Sequence, residues 1–312
     1  MTPGSIVWLT WRQHRWPVVG VTALALGAAS ILVSTEAERQ LVGSLMLPGF
    51  YAIFVQLVFG CVIGVFWGAP LIARELEERT YFVAWGQDVT PVRWLRGKVV
   101  VLGLLAVVLG AVIGLGDGFT GDQVPTWGAF EASPAVQAGY ALFGLALGVL
   151  TGLLTRHVVT AMAATLVFYT LVRVLTSVVV RDHLVPAARS IARWDSTPQV
   201  PPEALELGRG FVDSRLDAVA VTAQCQRIHP VNPGNCMASS NAAVGTYVDY
   251  QPADRIGLFQ FLECGLFVVL ALALFAVAFR ILRRGGGWKP TRSHRRLAVQ
   301  SAPETVAAQA EG

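Results

Sequence analysis

The sequence predicts an all-α integral membrane protein with six transmembrane helices, a short N-terminal interfacial helix and one larger extracellular segment between spans five and six. Composition is the first ground for this. Of 312 residues, 54% are hydrophobic and only 14% charged, too apolar for an ordinary soluble domain. Pattern is the second. A bilayer core needs roughly 20 apolar residues per helix, and six runs qualify, at about 17–33, 50–73, 98–116, 135–154, 157–180 and 256–280. The third is a constraint of lipid, in which an open sheet leaves edge N–H and C=O groups without partners, so helices are the expected spanning element.

Orientation follows from Lys and Arg. With the N-terminus inside, the inner segments carry fifteen of the 24 basic residues, and the short outer loops carry only Arg39. Asp117, Asp122 and Glu131 stand in the second outer loop without a basic partner. The loop at 181–255 holds seven Arg, but long loops cross regardless of charge. The expectation is a multi-pass protein of the cell (plasma) membrane with both termini cytoplasmic. Basic residues flank the apolar runs, where topology explains them, so no nucleic-acid partner is implied.

Residues 1–16 do not read as a cleaved signal, because the apolar run after Arg15 is long and five more spans follow. Ser5 can cap a short interfacial helix bearing Trp8, Trp11 and Trp16, or these are ordinary aromatic anchors. The second span contains Gln56, Gly60, Gly64, Gly68 and Pro70. Glycines four apart allow close helix approach, against another span or a second copy of the chain. Gln56 either bonds to a neighbouring helix or lines a pathway. Spans three and four repeat the pattern with Gly103, Gly110 and Gly114, then Gly144, Gly148 and Gly152.

The stretch between spans two and three, within the cytoplasmic loop 74–97, is unlike either neighbour: Arg74-Glu75-Leu76-Glu77-Glu78-Arg79-Thr80, then the aromatic patch Tyr81, Phe82 and Trp85. Gly86 can end a short helix here; Thr90 and Pro91 can start the next, as N-cap and first helical residue. The bland reading is an interfacial connector. A span ending in Arg-Glu, then Thr80, an apolar turn, Thr90-Pro91-Val92 and Lys98 at the next span resembles the first cytoplasmic loop of ABC-2-type transporter permeases. The match departs at Glu78-Arg79-Thr80, where many members have Arg-Gly-Thr. With the topology, the resemblance covers nearly the whole chain, including an elbow helix at 1–16 and an outer segment before the last span. It implies a membrane-spanning permease subunit of an ATP-driven exporter. Arg74, Glu75, Glu78, Thr80, Tyr81, Phe82 and Trp85 would dock on a separate ATP-binding ABC subunit, which would hold ATP and Mg²⁺. A second permease copy, in a homo- or heterodimer, would complete the pathway. A non-transporting membrane signalling or immunity partner, using the loop only to bind, is the alternative from another class.

The extracellular segment 181–255 is richer in Pro and charge than the spans, and Glu203 to Val221 reads as a helix or two. Cys225 and Cys236 flank Pro230, Asn232, Pro233 and Gly234, and in an oxidising exterior they read as a disulfide. His229 nearby does not complete a metal site, so no metal is expected. Cys61 and Cys264 fall within spans as small hydrophobes. After the last span, 256–280, the tail 281–312 is basic, suited to anionic membrane lipid, and then reads as disordered.

No enzyme is expected. The chain has no GxxxxGK[ST] loop, no HExxH pair and no GxSxG elbow, so it carries no catalytic residues or cofactor of its own. Two intramembrane charges remain. Arg173 lies seven residues before the outer end of span five and Glu263 seven after the outer start of span six. Both therefore sit roughly 10 Å deep, at 1.5 Å per residue. A lone charge at that depth is costly, so the two are expected to pair, either as a static lock or as part of a substrate site.

Overall fold

The computed structural model describes residues 19–23, 25–27, 30, 46–78, 91–115, 126–229 and 231–284. Helices dominate. Helix α1 runs Met46–Ile63, widens into a π-helical turn at Gly64–Gly68 and continues as Ala69–Glu77. Helix α2 is Pro91–Leu115, and α3 is Pro134–Thr155, preceded by a 3₁₀ turn at Trp127–Ala129. Helix α4 is Val158–Leu175, extended through a π turn at Thr176–Val180 to Arg181–His183. The last helix, α7, is Ile256–Arg283. These five are the candidate spans among the described residues, and they correspond to the second to sixth expected ones. Of the first, the described residues are helical, and Val21 and Ala25 join the bundle core. The interfacial helix at 1–16, residues 79–90 and the tail beyond Arg284 lie outside the described residues.

Helix α3 is the most buried span and touches α1, α2, α4 and α7. The glycines are why. A Cβ on Gly64 would stand 2.6 Å from Gly144 O, one on Gly68 2.6 Å from Leu145 O, and one on Gly152 2.5 Å from Ala69 O. The glycine repeats of spans two and four thus face each other within one chain. Gly110 of α2 meets α3 in the same way, 2.6 Å from Gln137 O. On its other side α3 packs by aromatic contacts, with Phe267 of α7 edge-on to Tyr140 at 4.8 Å and to Phe143 at 5.2 Å.

Three expectations are corrected. The chain is not all-α: residues 188–251 contain a four-stranded antiparallel sheet in the order β1-β4-β2-β3. Its strands are β1 Ala188–Arg193, β2 Leu205–Val212, β3 Ala218–Val219 and β4 Gly245–Gln251. The lipid argument against sheets does not reach a segment with no spanning helix. Gly208 and Gly210 also disfavour the helix expected over 203–221, and β2 and β3 form a hairpin there instead. Asp213 Oδ1 closes its turn by accepting from the N–H groups of Arg215 and Asp217, at 2.8 and 3.1 Å. Second, span three begins at Pro91, which places Lys98 inside the helix and buries it. Third, α1 runs unbroken through Arg74 to Glu77, so the charged turn is the end of a span rather than the start of a separate helix.

Short helices α5 (Ala223–Ile228) and α6 (Gly234–Ser239) cover the sheet, joined by the Cys225–Cys236 disulfide over Met237, with Cα atoms 5.5 Å apart. The module is tied to the bundle by Gln251 Nε2, which donates to Val185 O at 2.7 Å, and by Arg255 Nη1, which donates to Pro186 O at 3.0 Å.

Two outcomes follow for this module. Replacing both Cys225 and Cys236 by Ser lowers its unfolding free energy by about 2–3 kcal/mol, from loop entropy, read by denaturant titration of a sheet fluorophore such as Trp194. Unchanged stability would contradict this. Arg189 and Asp249, paired across β1 and β4 at 2.7 Å, give a pH effect. The Arg189 hydrogen bond holds the Asp249 carboxyl below its ordinary value of about 3.9. The folded state therefore gains stability above that pH and loses it as pH falls below it. Asp249→Asn removes that part of the acid sensitivity, checked by melting curves between pH 3 and 6.

Candidate functional site

The polar groups inside the bundle gather at two places, one near the sheet and one at the opposite, basic end. Near the sheet, Glu131 precedes α3, Tyr140 lies in its second turn, Arg173 and Arg181 come from α4, and Glu263 from α7. Arg173 Nη2 donates to Glu131 Oε2 at 2.7 Å, and its Nη1 to Glu263 Oε1 at 3.3 Å. Arg181 bridges the same carboxylates, with Nε to Glu263 Oε2 at 2.9 Å and Nη2 to Glu131 Oε1 at 2.8 Å. Tyr140 donates its hydroxyl to Glu263 Oε1 at 2.5 Å, and its ring lies 3.5 Å from the Arg173 guanidinium carbon.

Arg173 and Glu263 therefore meet, as expected from their depth, but as half of a larger cluster. Glu263 is fully buried and Arg173 is 3% exposed. Two guanidinium groups against two carboxylates make the group formally neutral, which is what a low-dielectric site requires. Glu131 is not without a basic partner: its partners come from α4, which no reading of its own loop could reveal. The apolar run stops at Val180, which by sequence alone places Arg181 in the loop. Eight residues beyond Arg173, it would sit about 80° around an undisturbed α-helix. The π turn at Thr176–Val180 absorbs roughly one residue and returns it to the same face.

Gln56 of α1 is 2% exposed, and its Nε2 has no partner among the described residues. Tyr169 Oη and Arg173 Nε are likewise buried without a described partner, and Tyr169 Oη lies against Gly60, one turn from Gln56. Spans two and five thus share a polar seam beside the charged cluster.

At the basic end, the residues of the charged turn divide. Glu75 turns inward, accepting from Lys98 Nζ at 2.7 Å, and Lys98 is 1% exposed. Glu77 accepts from the Val158 backbone N–H at 2.8 Å, at the start of α4, where a helix N-terminus favours a carboxylate. Arg74 and Glu78 pair with each other at 2.8 Å and stay exposed. Thr80, Tyr81, Phe82 and Trp85 lie outside the described residues. Among the described residues no group of His, Cys, Asp and Glu is placed to hold a metal.

A family model described as ABC-2 membrane transporter related matches residues 33–181. The matched stretch holds the charged turn, Lys98, the glycine seam, Glu131, Arg173 and Arg181, while the sheet and Glu263 lie beyond it. No curated protein matches the chain. The match supports an ABC-2-type permease family and a multi-pass membrane protein.

The cluster makes a definite pattern of stabilities. Arg173→Gln or Glu263→Gln alone leaves an uncompensated buried charge and costs about 3–5 kcal/mol. The double Gln variant keeps Arg181 against Glu131 and costs less than the sum of the two. Exchanging the charges, Arg173→Glu with Glu263→Arg, does not rescue, because position 173 then faces Glu131 and position 263 faces Arg181. Thermal unfolding in detergent checks all three, and full rescue by the exchange would contradict the four-membered arrangement.

Proposed function

Starting from the family match over residues 33–181, we propose that the chain is the membrane-spanning permease subunit of an ATP-driven exporter. It forms the translocation pathway with a second permease copy and couples to a separate ATP-binding subunit. That subunit holds ATP and Mg²⁺; this chain is not itself an enzyme.

The observation that supports coupling is the divided turn at the end of α1. Arg74 and Glu78 offer an exposed charged face to a partner. Glu75 and Glu77 fasten the same turn to α2 and to the start of α4. A partner that pushes on residues 74–78 therefore moves three spans together rather than bending one loop. The glycine seam passes the displacement from α1 to α3, because two backbones in direct contact leave no soft side chains to absorb it. In this reading the three spans tilt together and switch a cavity between two permease copies from inward- to outward-facing. A signalling or immunity protein would use the Arg74–Glu78 face only for binding and would have no need of the ties to α2 and α4.

The ties separate binding from coupling. Glu75→Gln with Lys98→Gln removes both members of a buried pair and leaves no orphan charge. With a candidate ABC ATPase co-expressed, this variant keeps pull-down of the ATPase but loses permease-dependent stimulation of ATP hydrolysis by more than tenfold. Arg74→Glu has the opposite profile, weakening the pull-down first. Full stimulation in the double variant would sink the coupling role, and failure of any ATPase to co-purify with the unaltered chain would favour the binding-only alternative.

A further inference from the structure

Helices α2 and α7 leave a groove of about 1130 Å³ between them, larger than the roughly 300–1,000 Å³ of an ordinary small-molecule site. Its walls are apolar and face outward: Val100 and Leu104 of α2 are 51% and 65% exposed, and Leu272 and Val277 of α7 are 59% and 46% exposed. The back of the groove is Leu142 of α3, reached past Gly103, whose missing side chain makes the wall concave.

One end is different in kind. Arg280 and Arg283 in the last turn of α7, Arg284 at its C-cap and Arg96 of α2 all line this end of the groove. All four are exposed, and none of their side chains bonds to a described residue. Buried basic side chains of the bundle are answered by carboxylates, as Lys98, two residues from Arg96, is by Glu75 and as Arg173 is by Glu131 and Glu263. Here four guanidinium groups from two helices collect with no described carboxylate among them. Like charges so gathered favour an anion, and guanidinium groups match the two-oxygen face of a phosphate. The apolar length beside them calls for a hydrocarbon chain on the same molecule.

We propose that the α2–α7 groove binds an anionic phospholipid, with an acyl chain along the Val100–Leu104 and Leu272–Val277 walls and the phosphate held by Arg96, Arg280, Arg283 and Arg284. An ordinary lipid-facing surface would accept any lipid. This site selects by headgroup charge, because a zwitterionic headgroup brings an ammonium into the arginine cluster. The bound lipid bridges α2 and α7, which otherwise touch little.

The test uses the full chain in detergent micelles doped with spin-labelled phosphatidylglycerol or phosphatidylcholine. The unaltered protein is expected to immobilise phosphatidylglycerol at least fivefold more strongly. Replacing all four arginines by Gln lowers that ratio below twofold. Gly103→Leu fills the groove with the arginines intact and lowers immobilisation of both lipids. Each variant is first confirmed monodisperse by size exclusion; if the fourfold variant is not, Arg280→Gln with Arg283→Gln is scored on the same ratio. A photo-crosslinking amino acid in place of Leu104 identifies the occupant directly, and a lipid adduct is expected. Equal immobilisation of the two lipids by the unaltered chain overturns the proposal. So does a ratio that survives the loss of the arginines, or a cross-link to a second copy of the chain.

Discussion

Direct backbone contact between α1 and α3 is the constraint on which the bundle depends. In lipid there is no hydrophobic gain from pressing two apolar helices together, so association rests on close packing and on hydrogen bonds. Gly64, Gly68, Gly144, Gly148 and Gly152 remove the side chains that would hold the two helices apart. With α1 seated, α3 becomes the post around which α2, α4 and α7 are placed. Thr151 of α3 and Thr165 of α4, 2.7 Å apart, add a polar contact on the next face. Any side chain larger than hydrogen along the seam moves the backbone, and every other helix moves with it.

Spans α4 and α7 are the least buried and present broad apolar faces outward, so packing alone specifies their rotation weakly. Charge does what packing cannot. Arg173, Arg181 and Glu263 can be accommodated only when all three point inward, where the two arginines bridge Glu263 and Glu131. The electrostatic term thus acts less as added stability than as a choice of rotation, since misrotating either helix strands a charge in hydrocarbon. At the basic end Glu75 and Lys98 do the same for α1 and α2.

Much of this was legible in residue types and spacing. The apolar runs located five spans, the four-residue glycine period located a seam, and the matched depths of Arg173 and Glu263 located their meeting. Pro91 opens a helix as its fixed φ suggests. What stayed hidden has physical reasons. The partners of Glu131 are contributed by α4, so no local reading finds them. Arg181 is returned to the cluster by a π turn, and helical periodicity assumes a constant number of residues per turn. The charged turn at the end of α1 looks like a surface helix because Arg74, Glu77 and Glu78 are on the surface, while Glu75 between them turns inward to Lys98. The sheet stays hidden because the lipid constraint that favours helices does not apply to a segment with no spanning helix. Its alternation is weak, and two glycines interrupt β2.

The order in which the chain is made gives Glu263 a further consequence. Glu131, Arg173 and Arg181 are all synthesised before α7 exists. Until then the pocket holds two guanidinium groups against one carboxylate, an excess positive charge that lipid does not tolerate. Helix α4 is then held shallow or turned toward water during biogenesis, and only the arrival of the last span, more than 70 residues later, neutralises it. Insertion of α7 thereby becomes the step that commits the earlier helices to their final depth. A chain truncated before residue 263 would be left with an unfinished membrane domain that quality control can recognise by its charge.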